Sequence, residues 1–259
     1  MSLSSNWKAL SSKIQPSKTR ENKIQKPKRK RNIQSKDVPK SGKANVIAAS
    51  ASTRTLTPLE HALWTCASYS TFEIGVKTSQ KVLDYSDKRK SAPGKFVAID
   101  CEFVGVGHDD VSALARVSIV NYYGVVLLDT YVKPEGHVTD WRTWVSGITP
   151  QHMRHAIPFK EARDKVENII LDRVVVGHAV HHDLGSLSIS VPKHLIRDTA
   201  KFPDFRKQNG GKTPGLKKLC HVYLGLDIQS GSHSSVEDAQ ATMAVFRLYQ
   251  KAMEAHFAR

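Results

Sequence analysis

A chain of 259 residues, 40% hydrophobic and 24% charged, has room for one sizeable core with tails or for two small domains, and its composition excludes collagen-like and wholly disordered classes. Its longest apolar runs, such as Val174 to Val176 and Val125 to Leu128, fall far short of the roughly 18 residues a membrane helix requires, so no membrane segment is expected. Against 24 acidic residues stand 39 Lys and Arg, a net charge of +15 that points to a polyanionic partner.

That charge is concentrated at one end. Residues 1–47 hold ten Lys and three Arg against Glu21 and Asp37, which places +11 of the +15 there and leaves +4 for the remaining 212 residues. The stretch lacks apolar periodicity, cannot bury enough surface to offset its ordering entropy, and is expected to be a disordered basic tail. Within it, Lys26, Pro27, Lys28, Arg29, Lys30 and Arg31 have the composition of a nuclear import signal or a nucleic-acid patch, and also of a plain solvated face. Met1 to Trp7 is polar, without the apolar core of a secretory signal, so export is not expected. Cys66, Cys101 and Cys220 lack C-x-x-C spacing, which argues against a disulfide framework or a thiolate zinc site and for a reducing compartment. Residues 48–94 read as a linker with a short helix around Leu59, Leu63 and Trp64, closed off by Pro93 and Gly94.

From Lys95 the texture changes. Phe96 to Ile99 reads as a buried strand ending in Asp100, and Ala115 to Tyr122 and Val125 to Val132 alternate around Tyr123 and Gly124 like a hairpin. Three such strands predict an antiparallel meander. A turn at Gly147 and Pro150 precedes a helix over Pro158 to Leu171, where Phe159, Ala162, Val166, Ile169 and Ile170 recur at helical spacing. A strand at Arg173 to Val176, a short helix near His182 to Ile189, a strand at Leu195 to Arg197, a helix from Pro214 to Tyr223 and a long helix from Ser235 to about His256 complete the pattern. The fold class is α/β, a mixed sheet flanked by helices, with residues 95–259 as one domain.

Carboxylates gather at strand ends and helix starts. Asp100 and Glu102, two apart in an extended chain, project to the same face inside an apolar run; they read as metal ligands or as an ordinary polar strand exit. Asp183 stands where a strand hands over to a helix, a capping position in its own right, and His178, His181 and His182 beside it have no partners at zinc spacing and read as a polar pocket wall. Ser235 and Asp238 form an S-x-x-D capping pattern, and His233 just before them is placed either as a solvated loop residue or as a general base. Two decoys fail: the G-x-G at Gly105 and Gly107 has Asp110 at its third glycine, and Gly211, Lys212 and Thr213 have Arg206 where a phosphate loop needs its first glycine.

Taken together, D-x-E at Asp100 and Glu102, G-H-x-x-x-H-D ending at Asp183, and H-x-x-x-x-D at His233 and Asp238 resemble the DEDDh exonuclease superfamily. The blocks AIDCEFVGVG, LARVSIVN, VSGITPQHM, VVGHAVHHDL, IRDTAKF and HSSVEDAQATM resemble its RNA exonuclease 4 branch, over about residues 95 to 255. The resemblance implies a ribonuclease H-like fold and a 3′–5′ exoribonuclease releasing nucleoside 5′-monophosphates. It also implies a cofactor, two Mg2+ or Mn2+ ions held by Asp100, Glu102, Asp183 and Asp238, with His233 as general base. Asp100 would bridge the two ions, Glu102 and Asp238 would hold the nucleophile-side ion, and Asp183 would assist through water. Phe103, where many relatives carry Met, and Arg142 fall at family positions near the terminal nucleotide and its ribose. The implied partner is RNA, a ribosomal RNA precursor, in the nucleus and specifically the nucleolus. Two other readings stay open on the residues alone: a catalytically idle RNA-binding ribosome-assembly factor, and a DNA exonuclease acting on single strands. Nothing in the sequence sets an oligomeric state.

Overall fold

In the computed structural model, the described residues are 57–65 and 87–257, all within one compact unit, Asn45–Arg259. The basic cluster at Lys26–Arg31, the expected disordered tail and Cys66 lie outside the described residues.

The first strand, β1 (Phe96–Val106), does not stop at Asp100 as its apolar opening led us to expect. Val104 and Val106 keep the β preference, and the chain pairs antiparallel with β2 (Val111–Asn121) for its whole length, shifting register between Glu102 and Phe103. β2 in turn pairs antiparallel with β3 (Val126–Lys133), so the expected meander forms. Its turn needs a glycine. Gly124 has φ +76, and a Cβ there would stand 2.7 Å from Leu63 Cδ1.

Beyond β3 the chain passes through β4 (Val138–Asp140), a single helical turn α3 (Thr143–Ser146) and a 3₁₀ turn at Pro150–Arg154. A two-residue strand, β5 (Ile157–Pro158), then leads into α4 (Phe159–Ile170). β6 (Val174–Gly177) follows, then α5 (His181–Ser186) and β7 (Ile196–Asp198). The seven strands form one mixed sheet in the order β5-β3-β2-β1-β6-β7, with β4 pairing to β1. β1, β6 and β7 are parallel, so their carboxyl ends share one edge, the edge where ligands bind in open α/β sheets.

The helix expected at Pro214 to Tyr223 is shorter and irregular. α7 (Leu216–Leu219) runs into a π-helical turn, Cys220–Leu224, after α6 (Pro203–Gln208), which the sequence pattern did not single out. Last comes α8 (Ser235–Phe257).

Strand parity sorts the core into two layers. Val97, Ile99, Val117 and Val175 pack under Ala162, Val166 and Ile170 of α4 and Leu184 and Leu187 of α5. Phe96, Ala98, Val120 and Val176 pack under Ala241, Met243, Val245 and Phe246 of α8. The short helix expected within residues 48–94 forms as α1 (Pro58–Thr65), with a single turn α2 (Lys88–Ser91) ahead of β1, and α1 joins that second layer: Leu59 and Leu63 are buried in the α8 core. The physical reason is an amphipathic spacing, with Leu59, Ala62 and Leu63 on one face and the buried Arg247 of α8 donating to the Leu63 carbonyl at 2.6 Å and to that of Tyr122 at 3.0 Å. No described helix is long and apolar enough to cross a membrane.

Candidate active site

Strand parity that sends Ala98 toward α8 sends Asp100 and Glu102 the same way, at the carboxyl edge of the sheet. The first turn of α8 brings Asp238 to meet them. Ligand atoms of Asp100, Glu102 and Asp238 all lie within 4.8 Å of one another, and Glu102 and Asp238 are buried.

A relay across the sheet fixes that approach. Ser118, opposite Asp100 in the register, donates to Asp129 Oδ1 at 2.8 Å and lies 2.7 Å from the Ser235 hydroxyl at the start of α8. With its one proton given to Asp129, Ser118 can only accept from Ser235. Arg116, opposite Glu102, binds Asp129 in bidentate fashion at 2.8 and 2.9 Å. The expected capping role of Ser235 is therefore replaced: its hydroxyl anchors the helix to β2, and the Asp238 N–H is taken by the Ser234 carbonyl at 2.8 Å.

The electrostatics are those of a site built for positive charge. Burial, then the neighbouring Asp238 carboxylate, pushes Glu102 up to about 8, while Arg116 pulls the other way. Asp100 is raised well above the carboxylate range by burial and by the charges of Asp183, Asp238 and Glu102. Burial raises Asp238 to about 6 against the lowering effect of Gln229, which donates to both of its oxygens at 3.0 Å. Glu102 Oε1 is buried without any hydrogen-bond partner. Three clustered carboxylates and an orphaned acceptor fit a hard divalent cation, whose charge would satisfy the oxygen and return these groups to their ionised form.

Asp183 stands apart from that triad. It lies in the first turn of α5, on the opposite side of β1, where burial raises it to about 7 while hydrogen bonds with Cys101 and its own backbone lower it. Among the neighbouring carboxylates, its charge is the one that raises Asp100 most. The turn that launches α5 is held from β7: buried Asp198 accepts from the Ala179 N–H at 2.8 Å and the Ala200 N–H at 3.0 Å through one oxygen. Ala179 has φ +58, a left-handed conformation unfavourable for any residue but glycine, and the Asp198 contact holds it there. His178, expected on a polar pocket wall, bonds Thr199 Oγ1 at 2.9 Å, and Thr199 donates to the Gly177 carbonyl at 3.1 Å.

His233 sits beside Asp238, with Nδ1 3.6 Å from Oδ2 and its side chain 36% exposed. Its loop is not free: the His233 N–H donates to the Val145 carbonyl of α3. Gly147, at φ +66, permits this packing, because a Cβ there would lie 3.2 Å from Ser232 Oγ and 3.3 Å from the His233 carbonyl. Nδ1 therefore faces the carboxylate, and Nε2 is the atom left to handle a proton.

The other two sequence candidates flank the acids: Phe103 follows Glu102 in β1, and Arg142 caps α3, whose Val145 carbonyl accepts from His233. Arg142, at φ +48, binds Asp110 Oδ2 at 2.9 Å and Ser112 Oγ at 2.8 Å at the β1–β2 turn. Half-buried Phe103 packs with the α4 and α5 layer. The residues that sequence reasoning missed are those that position the acids: Arg116, Ser118, Asp129, Asp198 and Gln229. Asp129 carried a local signal, since a lone acid directly follows the apolar run Val125 to Leu128.

Comparison with known proteins completes the picture. Residues 97–246 match the family model RNase T, described as an exonuclease. RNA exonuclease 4 of Candida albicans is 50% identical over 97% of this chain and 95% of its own length. That of Debaryomyces hansenii is 48% identical over 97% of this chain and 93% of its own. Among solved structures, the Saccharomyces cerevisiae Pan2 pseudoubiquitin hydrolase-RNA exonuclease module in complex with A7 RNA is similar at TM-score 0.56 and 32% identity, over 68% of this chain. The Neurospora crassa Pan2 catalytic unit gives TM-score 0.56 and 28% identity over 69% of it. This chain spans 31% and 30% of those two Pan2 chains.

Proposed function

The chain belongs to the RNase T family of exonucleases, and from that premise we propose that it hydrolyses RNA one nucleotide at a time from the 3′ end, releasing nucleoside 5′-monophosphates. The observation that carries this reading is the convergence of Asp100, Glu102 and Asp238 within 4.8 Å, with His233 alongside. Similarity to RNA exonuclease 4 along nearly the whole chain supports RNA as the substrate.

Asp100, Glu102 and Asp238 would hold one divalent cation, and Asp100 and Asp183 would serve a second. Two Mg2+ or Mn2+ ions, when bound, neutralise the phosphate and favour both the attacking and the leaving oxygen. The chain's own groups do the rest. His233 takes the proton of the attacking water at Nε2 while Asp238, at Nδ1, favours the imidazolium that results. Water oxygen bonds to phosphorus, the bond to the preceding 3′ oxygen breaks, and that oxygen takes a proton from solvent, so the shortened strand leaves with a 3′-hydroxyl. Asp198 keeps α5, and so Asp183, at its place, and the Ser118–Ser235 pair does the same for Asp238. The +11 carried by residues 1–47, with the cluster at Lys26–Arg31, supports nuclear import and contact with nucleic acid, while the nucleolar location and ribosomal RNA precursors as substrate rest on the resemblance to RNA exonuclease 4.

The test is a time course on matched single-stranded RNA and DNA labelled at the 5′ end, with Mg2+, Mn2+ or chelator. A cation-dependent ladder shortening from the 3′ end of RNA is expected. Preference for DNA would change the substrate, and binding without cleavage in either cation would make the protein an assembly factor.

A further inference from the structure

One exposed basic surface is left over by this account. Between residues 201 and 218 lie Lys201, Arg206, Lys207, Lys212, Lys217 and Lys218 against the single acid Asp204, a charge of +5 in 18 residues. Residues 48–259 together carry only +4, so these 18 residues hold a local excess of positive charge larger than that of the whole stretch. All six side chains are exposed, and among the described residues only Lys201 approaches a carboxylate. A merely solvated helical face commonly interleaves both signs; this one does not.

The segment also borders the carboxylate cluster. Lys217 Nζ donates to the Gln229 carbonyl at 3.1 Å, and the Gln229 amide in turn binds Asp238. Lys201 Nζ lies 3.6 Å from Asp198 Oδ2, at the turn that launches α5, and the Pro214 backbone bonds His178 in the same turn. From these points Arg206, Lys207, Lys212 and Lys218 extend the positive surface along α6, α7 and the exposed loop between them. That loop carries the Gly211, Lys212 and Thr213 sequence that fails as a nucleotide-binding loop.

We propose that the α6–α7 face is the track for the sugar-phosphate backbone of the RNA upstream of the nucleotide being removed. This rests on the exonuclease reading, which seats the 3′-terminal nucleotide at the acids; the rest of the strand must then leave across a neighbouring surface, and this cationic face is joined to the acids through Gln229. Flexible ammonium groups and one guanidinium bind phosphates without reading bases, so the track is sequence-independent. It sets how well long substrates are held, not how the last bond is cut.

The test uses the full chain with Lys207, Lys212 and Lys218 replaced together by Ala, none of which touches the acids or His233. Binding of a 20-nucleotide RNA is followed by anisotropy with chelator present, and turnover is followed on the same RNA and on a dinucleotide with Mn2+. Losing three phosphate contacts is expected to lower the slope of log affinity against log salt by about two, at roughly 0.7 per phosphate of a single strand. KM for the long RNA is expected to rise at least about tenfold, with kcat and dinucleotide cleavage unchanged. An unaltered slope and an unaltered KM would overturn the track and leave the face to an acidic protein partner. Failure of the wild-type chain to cut either RNA would overturn the exonuclease reading instead, while the chelator-based slope would still decide whether RNA lies on this face.

Discussion

Replacing Glu102 by Gln should make the metal-free protein more stable while making it useless to the metal. Glu102 is 5% exposed, and in the native state its carboxyl is pushed from an ordinary 4.5 to about 8. The folded state thus keeps a proton that the unfolded chain has released everywhere between those values. The stability this proton confers is complete below pH 4.5 and is lost as pH rises through about 8. At pH 7, two and a half units above the unfolded value, the linkage costs about 3 kcal/mol at roughly 1.4 kcal/mol per unit, an order-of-magnitude figure. Gln has nearly the same shape, carries no charge to bury, and can donate its amide protons to Asp100 or Asp238. Thermal unfolding in chelator at pH 7 should therefore give a Tm higher by roughly 6–12 °C for a domain of this size. The same scan with Mn2+ should raise the wild-type Tm and barely move that of the variant, and hydrolysis should be lost. A variant that melts lower than wild type in chelator, or gains as much from Mn2+, would mean that the buried Glu102 charge is neither a cost to the fold nor a ligand to the metal.

Further outcomes follow from the same geometry. His233→Ala should slow single-turnover cleavage by roughly a hundredfold or more without changing Mn2+ affinity, the scale of losing a general base; a rate within threefold of wild type would remove His233 from the reaction. Asp198→Ala strands the Ala179 and Ala200 N–H groups and should cost about 2 kcal/mol in urea unfolding and weaken Mn2+ binding through Asp183, whereas Asp198→Asn, which keeps the accepting oxygen, should restore most of both. Leu63→Ala should destabilise the fold by roughly 2–5 kcal/mol, because Leu63 is fully buried under α8; unchanged stability would return residues 57–65 to a linker role.

Periodicity in the chain was enough for the large elements. Ala162, Val166 and Ile170 mark α4 by spacing alone, and the meander follows from alternation around Gly124. The pairing of Asp100 with Glu102 on one face is a local consequence of extended backbone and needs no tertiary knowledge. The supports of those acids are another matter. Ser118 and Arg116 reach Asp100 and Glu102 only through antiparallel register, and Asp129 joins them from a third strand, so no window of sequence contains the set. The same holds for Ser235, whose capping pattern is locally plausible yet loses to a partner 117 residues away. Asp183 was legible from the order of acids along the chain, but not the route by which it reaches Asp100: it comes from α5, on the opposite face of β1 from α8, and hydrogen-bonds with Cys101. The length of β1 escaped because acids in mid-strand look like an ending; pairing on both sides carries the strand past them.

Whether these carboxylates hold two cations can be read from crystals of this protein soaked in Mn2+ and a nucleoside 5′-monophosphate, with diffraction recorded for manganese anomalous scattering. Two peaks are expected, one touching Asp100, Glu102 and Asp238 and a second touching Asp100 on the side of Asp183. No anomalous density among these carboxylates, at manganese concentrations that support turnover, would contradict the two-cation assignment.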